Sequence, residues 1–194
     1  MSKSKRNSSR KEYRRGAFVA IIVLITGILF EIVNGGKGVS LPSWPMNLFT
    51  GISFAFILVF LHLYYREFSV VRWLSRIPAS ISAIVLFTLL TLILGLTRQN
   101  QPDASDFMKY TGFSHIRTSY PFLLSGLYLL TTLGLVILRR ITPVNYRNFG
   151  FTLNHLGLWI IVLSGSLGAG DLQRLNIYVN ESEKVSYGFN QNRR

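Results

Sequence analysis

Five apolar runs of about 20 residues occupy most of this 194-residue chain. They are Gly16–Val33, Asn47–Tyr65, Ala79–Thr97, Pro121–Leu138 and Phe149–Gly170. Each is close to the roughly 20 residues an α-helix needs to cross a bilayer. In hydrocarbon every amide must be satisfied internally, and an open strand cannot do this, so the runs are predicted to be helices. The expected class is an all-α multi-pass membrane protein with about five transmembrane helices. Prolines agree with this reading: Pro42, Pro45, Pro102 and Pro143 fall between runs, while Pro78 and Pro121 stand where runs begin. A missing amide donor costs little at a helix start.

The positive charge has to be read by location. Lys and Arg number 21 against 8 Asp and Glu, a net +13, which in a soluble protein would suggest nucleic acid. Only 15% of residues are charged, against about 25% in soluble domains. Thirteen of the cations lie in three alternate regions: the arm 1–15 and the stretches 66–78 and 139–148. By the positive-inside rule those regions face the cytoplasm. The surplus is thus a topology signal with some attraction to anionic membrane lipid, and nucleic acid is not an expected partner. The expected orientation has the N-terminus on the cytoplasmic side and the C-terminus on the opposite side. VNGGKGVS, after the first run, has no A-x-A-like site, so an uncleaved signal anchor is expected.

Three regions follow: a basic, disordered arm at 1–15, a transmembrane domain at 16–170 and an extracytoplasmic tail at 171–194. In the tail Leu175, Ile177 and Val179 alternate with polar residues, as do Val185, Tyr187 and Phe189. With Asn180–Glu183 between them, this predicts a β-hairpin with a four-residue loop.

Chemistry is narrowly bounded. The absence of cysteine removes disulfides, thiolate nucleophiles and Cys-ligated metals together. No GxSxG, HExxH, Walker A or GxGxxG motif is present. Three histidines remain. His155, in LNHLGLW, lies roughly 10 Å into the membrane from the inner side, and His62 roughly 6 Å. Two imidazoles at similar depth on different helices suit a bis-His haem site or half of one. The plainer alternative gives each histidine one interhelical hydrogen bond. Trp159, four residues after His155, is placed to stack on a flat ligand. Ser164, Gly165, Ser166, Gly168 and Gly170 have small-xxx-small spacings that permit close helix approach. Glu31, at the outer end of the first run, is expected to snorkel to the interface. His115 is expected to be a solvated loop residue. Asp103, Asp106 and Asp171 show no catalytic or metal spacing, and Trp44 and Trp73 suit an aromatic belt.

The run FTLNHLGLWIIVLSGSLGAGDLQRLNIYVNE resembles the ResB-like (CcsB-type) membrane proteins of cytochrome c biogenesis, in the short version of Bacteroidetes-like bacteria. TLILGLTRQ, TSYPFLL and VVRWLSRIPAS add to the likeness, which spans roughly 16–185. The resemblance implies a non-autonomous subunit that pairs with a CcsA-type partner to carry haem b across the membrane and present it to apocytochrome c. It implies one transmembrane haem ligand from each protein, and in this chain the matching position is His155. The partner's WWD segment has no counterpart here. Members of that family usually continue into a larger extracytoplasmic domain, whereas this sequence ends at Arg194. Two rival readings are a self-contained haem b electron carrier using His62 with His155, and a non-haem membrane scaffold or transporter subunit.

Overall fold

The computed structural model describes residues 3–101, 103–142, 148–171, 175–176 and 189–190, with side chains from Arg10 to Asp171. Seven α-helices lie among them: α1 Lys3–Val33, α2 Met46–Tyr65, α3 Ser69–Leu74, α4 Ile77–Leu96, α5 Asp106–Tyr110, α6 Tyr120–Ile141 and α7 Phe149–Leu167. Five of them, α1 from Arg10, α2, α4, α6 and α7 with its continuation to Asp171, are long and apolar enough to cross a membrane. Each overlaps one of the five apolar runs. Pro78 and Pro121 sit in the first turns of α4 and α6.

The basic arm departs from expectation. It is helical from Lys3 and continuous with the first span. Between Lys3 and Gly16 there is no Gly or Pro to break it, and extending an existing helix avoids the cost of nucleation. The stretch 66–78, expected as a turn, contains α3, whose Val71 packs with Leu58 of α2 and Leu135 of α6.

Helix α6 is the centre of the bundle. It packs with α1 and α4 on one side, and with α2 and α7 on the other. In its most apolar stretch 61% of residues are buried, against 22–28% in α1, α2 and α4 and 6% in α7. Small residues permit this. A Cβ on Gly27 of α1 would lie 2.5 Å from Pro121 Cα, and one on Gly134 of α6 would lie 2.6 Å from Leu58 Cδ1. The buried hydroxyls of Ser125 and Thr132 donate to carbonyls of their own helix, at Phe122 and Leu129. Tyr128 ties α6 to α4, donating to the Ala79 carbonyl at 3.2 Å with Ser82 Oγ at 2.9 Å.

At the end of the bundle away from the segments 66–78 and 139–142, residues 34–45, 97–101 and 103–119 form a cap, tied by Val39 N–H to the Thr118 carbonyl and Asn100 N–H to the Ser114 carbonyl. Most of the expected hairpin lies outside the described residues. Those described hold one short antiparallel pair, Leu175 opposite Asn190 and Asn176 opposite Phe189. A loop at 180–183 would set Val179 opposite Lys184, and hence Leu175 opposite Gly188. The pairing is therefore two residues out of that register, and the four-residue loop is not supported.

Candidate functional site

His155 lies within two turns of the start of α7 and is partly exposed. Its Nδ1–H donates to the Phe151 carbonyl at 2.8 Å. A carbonyl can only accept, so this bond places a proton on Nδ1; in the neutral imidazole the lone pair is then on Nε2, which has no hydrogen-bond partner among the described residues. The imidazole stacks on the Phe151 ring at 3.8 Å, and Arg140 lies over that ring, 5.1 Å from its centre. Arg140, Phe151 and His155 thus form a row from the end of α6 to the first turns of α7.

His62 is built differently. It is buried on α2, with Nε2 3.2 Å from Thr142 Oγ1. The Thr142 hydroxyl donates to the Leu138 carbonyl at 2.8 Å, so its oxygen is left to accept from His62 Nε2–H. His62 therefore makes the interhelical hydrogen bond of the plainer alternative; among the described residues His155 bonds only within its own helix. Trp159 is also held by protein. Its Nε1–H donates to the Leu130 carbonyl of α6 at 2.9 Å, and its ring lies nearly parallel to Phe54, 6.2 Å between centres. The expected stacking surface for a ligand is occupied on that side by α2 and α6.

The small residues at the end of α7 divide into two kinds. A Cβ on Gly165 or Gly168 would meet nothing within 4 Å. One on Gly170 would overlap the Pro42 carbonyl, so Gly170 packs directly on the first interhelical loop. Asp171 completes this junction, accepting from the Trp44 amide at 2.7 Å and from Asn47 Nδ2 at 2.6 Å. The Gly-Ala-Gly-Asp segment is thereby a latch from α7 to the start of α2.

Two expectations are overturned at the cap. Glu31 does not snorkel: it is fully buried. His115 is not solvated: its side chain is 13% exposed and its Nε2 lies 2.9 Å from Glu31 Oε1. The same carboxylate oxygen accepts from the Gly38 amide at 2.9 Å, and Oε2 accepts from the Tyr120 amide at 2.9 Å. With Nε2–H on Glu31, His115 Nδ1 accepts from the Ser114 hydroxyl at 3.0 Å. The local sequence explains the arrangement. After α1, Gly36 N–H bonds to the Glu31 carbonyl and Gly35 N–H to that of Ile32, a Schellman end with Gly35 at φ +70°. That turn folds the chain back and brings the Gly38 amide over the Glu31 carboxylate. The readable signal was a carboxylate followed by Asn-Gly-Gly at a helix end.

A serine, an imidazole and a carboxylate in series invite comparison with a hydrolytic triad. Ser114 is buried, however, and the cavity at this end is lined by His115 with Gln99, Asn100, Arg117 and Thr118, without Ser114. The series acts as an anchor joining α1 to the segment before α6. Among the described residues no group of three or more His, Asp and Glu could hold a metal ion.

Comparison with known proteins adds no assignment: no family model matches the chain, nor does any curated protein or solved structure.

Proposed function

We propose that the chain is a ResB-like subunit of a cytochrome c biogenesis complex, handling haem b together with a CcsA-type partner in a bacterial inner membrane. The observation that carries this reading is the His155 tautomer. A histidine that ligates iron commonly donates its other ring N–H to a carbonyl or carboxylate, and the Nδ1–H bond to Phe151 leaves Nε2 as the ligating atom. The residues fit half of a haem site. His155 would hold the iron from one side, and Arg140 would offer positive charge to the haem carboxylates. His62 spends Nε2–H on Thr142 and Trp159 is engaged by α6, so a second ligand from the partner suits the geometry better than a self-contained pair. Haem here is cargo destined for apocytochrome c, and no attachment step is assigned to this chain. The open Gly168 and neighbouring Ser164 suit the approach of a partner helix on α7.

The testing experiment is co-expression with a CcsA-type partner, reading haem absorbance of the purified complex and mature cytochrome c. His155→Ala is expected to lose both, with partial recovery on adding imidazole, while His62→Ala does much less. Equal losses in the two variants would favour the haem b carrier. Wild-type haem and cytochrome c in His155→Ala would remove the ligand assignment. Gly168→Leu is expected to reduce co-purification of the partner. The orientation, N-terminus cytoplasmic and C-terminal tail periplasmic, is tested by a reporter active only outside the cytoplasm. It should work when fused at Arg194 and fail at Arg140.

A further inference from the structure

The first span enters the membrane with one face graded from charge to apolar surface. Lys11, Arg14, Arg15 and Phe18 follow at i, i+3, i+4 and i+7, so they share a face of α1, with the cations in the turns before Phe18. Across from them lies α3, and the two helices border a groove of about 780 Å³ whose walls include those four residues together with Trp73 and Leu74. No carboxylate lines it. Glu12 is turned to Arg76 at 2.6 Å and Glu67 to Arg66 at 3.6 Å, so the acidic residues nearest in sequence are already paired. Among the described residues Lys11, Arg14 and Arg15 have neither an ion-pair nor a hydrogen-bond partner through their side chains.

A second, independent observation comes from Trp73. Its Nε1 is buried and has no hydrogen-bond partner, the single such side-chain atom among the described residues. A buried indole N–H ordinarily finds an acceptor, because leaving it unmade costs the full desolvation of the group. The groove therefore combines three cations unpaired among the described residues with apolar walls, and one of its lining residues, Trp73, carries a buried donor that lacks an acceptor.

We propose that this groove binds the phosphodiester headgroup of an anionic phospholipid, with the acyl chains running along Phe18 and Leu74. The phosphate oxygens pair with Lys11, Arg14 and Arg15, and a small turn of the indole gives Trp73 Nε1–H an acceptor. Diffuse attraction between a basic segment and an anionic membrane needs no groove. A built site predicts retention of individual lipid molecules after the bilayer has been removed. This inference does not depend on haem or on the partner protein.

The test is native mass spectrometry of the full chain in a neutral detergent, with phosphatidylglycerol, phosphatidylcholine or inorganic phosphate added separately. Wild-type protein is expected to retain phosphatidylglycerol in preference to phosphatidylcholine. Arg14→Gln with Arg15→Gln should weaken retention by about thirtyfold, and Lys11→Gln alone by about fivefold. Trp73→Phe keeps the ring packing and removes only the N–H, and should weaken it by about tenfold. Lys37→Gln with Arg98→Gln, at the other end of the bundle, should change nothing. Unchanged retention in the Arg14/Arg15 variant, or in Lys11→Gln and Trp73→Phe should the double variant fail to fold, overturns the site. Equal retention of phosphatidylcholine does the same. Displacement of the lipid by millimolar inorganic phosphate would mark a free-anion site and overturn the lipid assignment.

Discussion

His115 and His155 both hydrogen-bond through ring nitrogens, yet His115 joins a carboxylate on which three segments of chain converge, whereas among the described residues His155 bonds to its own helix alone. In the cap, a carboxylate from α1, an amide from the glycine loop, an amide from the start of α6 and a loop imidazole converge on one another. On α7, the imidazole bonds one turn back, and its second nitrogen has no partner among the described residues. Convergence with every polar atom spoken for is what stability requires of buried groups. An unspent lone pair on a sparsely covered helix contributes little to stability and is available for binding. The two histidines therefore separate an architectural role from the ligand role proposed for His155, although both occur in the same small protein.

The largest test of that contrast removes the carboxylate. Glu31→Ala strands the His115 Nε2–H and two backbone amides in a buried place, and is expected to cost about 3–5 kcal/mol. Thermal unfolding in detergent would read it as a large fall in Tm; a loss under about 1 kcal/mol would show that water reaches the cap. Gly112→Ala is next, expected at about 2 kcal/mol. Gly112 has φ +80°, and a Cβ there would lie 2.5 Å from Ser119 Cβ and 3.3 Å from Glu31 Cγ. An unchanged melt would mean that the 112–119 turn can shift without cost. Asp171→Ala, which leaves the Trp44 amide and Asn47 amide without their acceptor, should cost about 1 kcal/mol and speed proteolysis near 41–47. At the small end, Gly157→Ala on α7 meets open space and should be neutral or stabilising by up to about 1 kcal/mol. Destabilisation comparable to that of Gly112→Ala would erase the distinction between the two regions.

The spans were legible because the bilayer requires long apolar runs, and α1, α2, α4, α6 and α7 each overlap one of them. The central place of α6 was not legible, since it depends on which helix faces carry Gly27, Gly134 and Tyr128 against neighbours distant in sequence. The α3 helix was missed because SVVRWL is too short for its periodicity to be read. Glu31 and His115 were misjudged singly for the same physical reason: each is costly in isolation, and their 84-residue separation hides the pairing. Gly170 and Asp171 were seen only as a small-residue stretch and a lone acid, whereas they form one latch. What could be read at His155 was its position, while its tautomer required the Phe151 carbonyl in place.

The cap also sets a schedule. Glu31 leaves the ribosome long before its partner, because 84 residues separate it from His115 and 89 from Tyr120. At about 5–20 residues per second, that gap lasts roughly 4–18 s. Throughout it the first span holds a carboxylate at its end with two of its three protein donors still unsynthesised or inside the ribosome; only the Gly38 amide follows at once. A span in that condition has reason to keep its end in water. Arrival of residues 115–120 removes that reason, so the full set of protein donors to Glu31 exists only after the third span has been made.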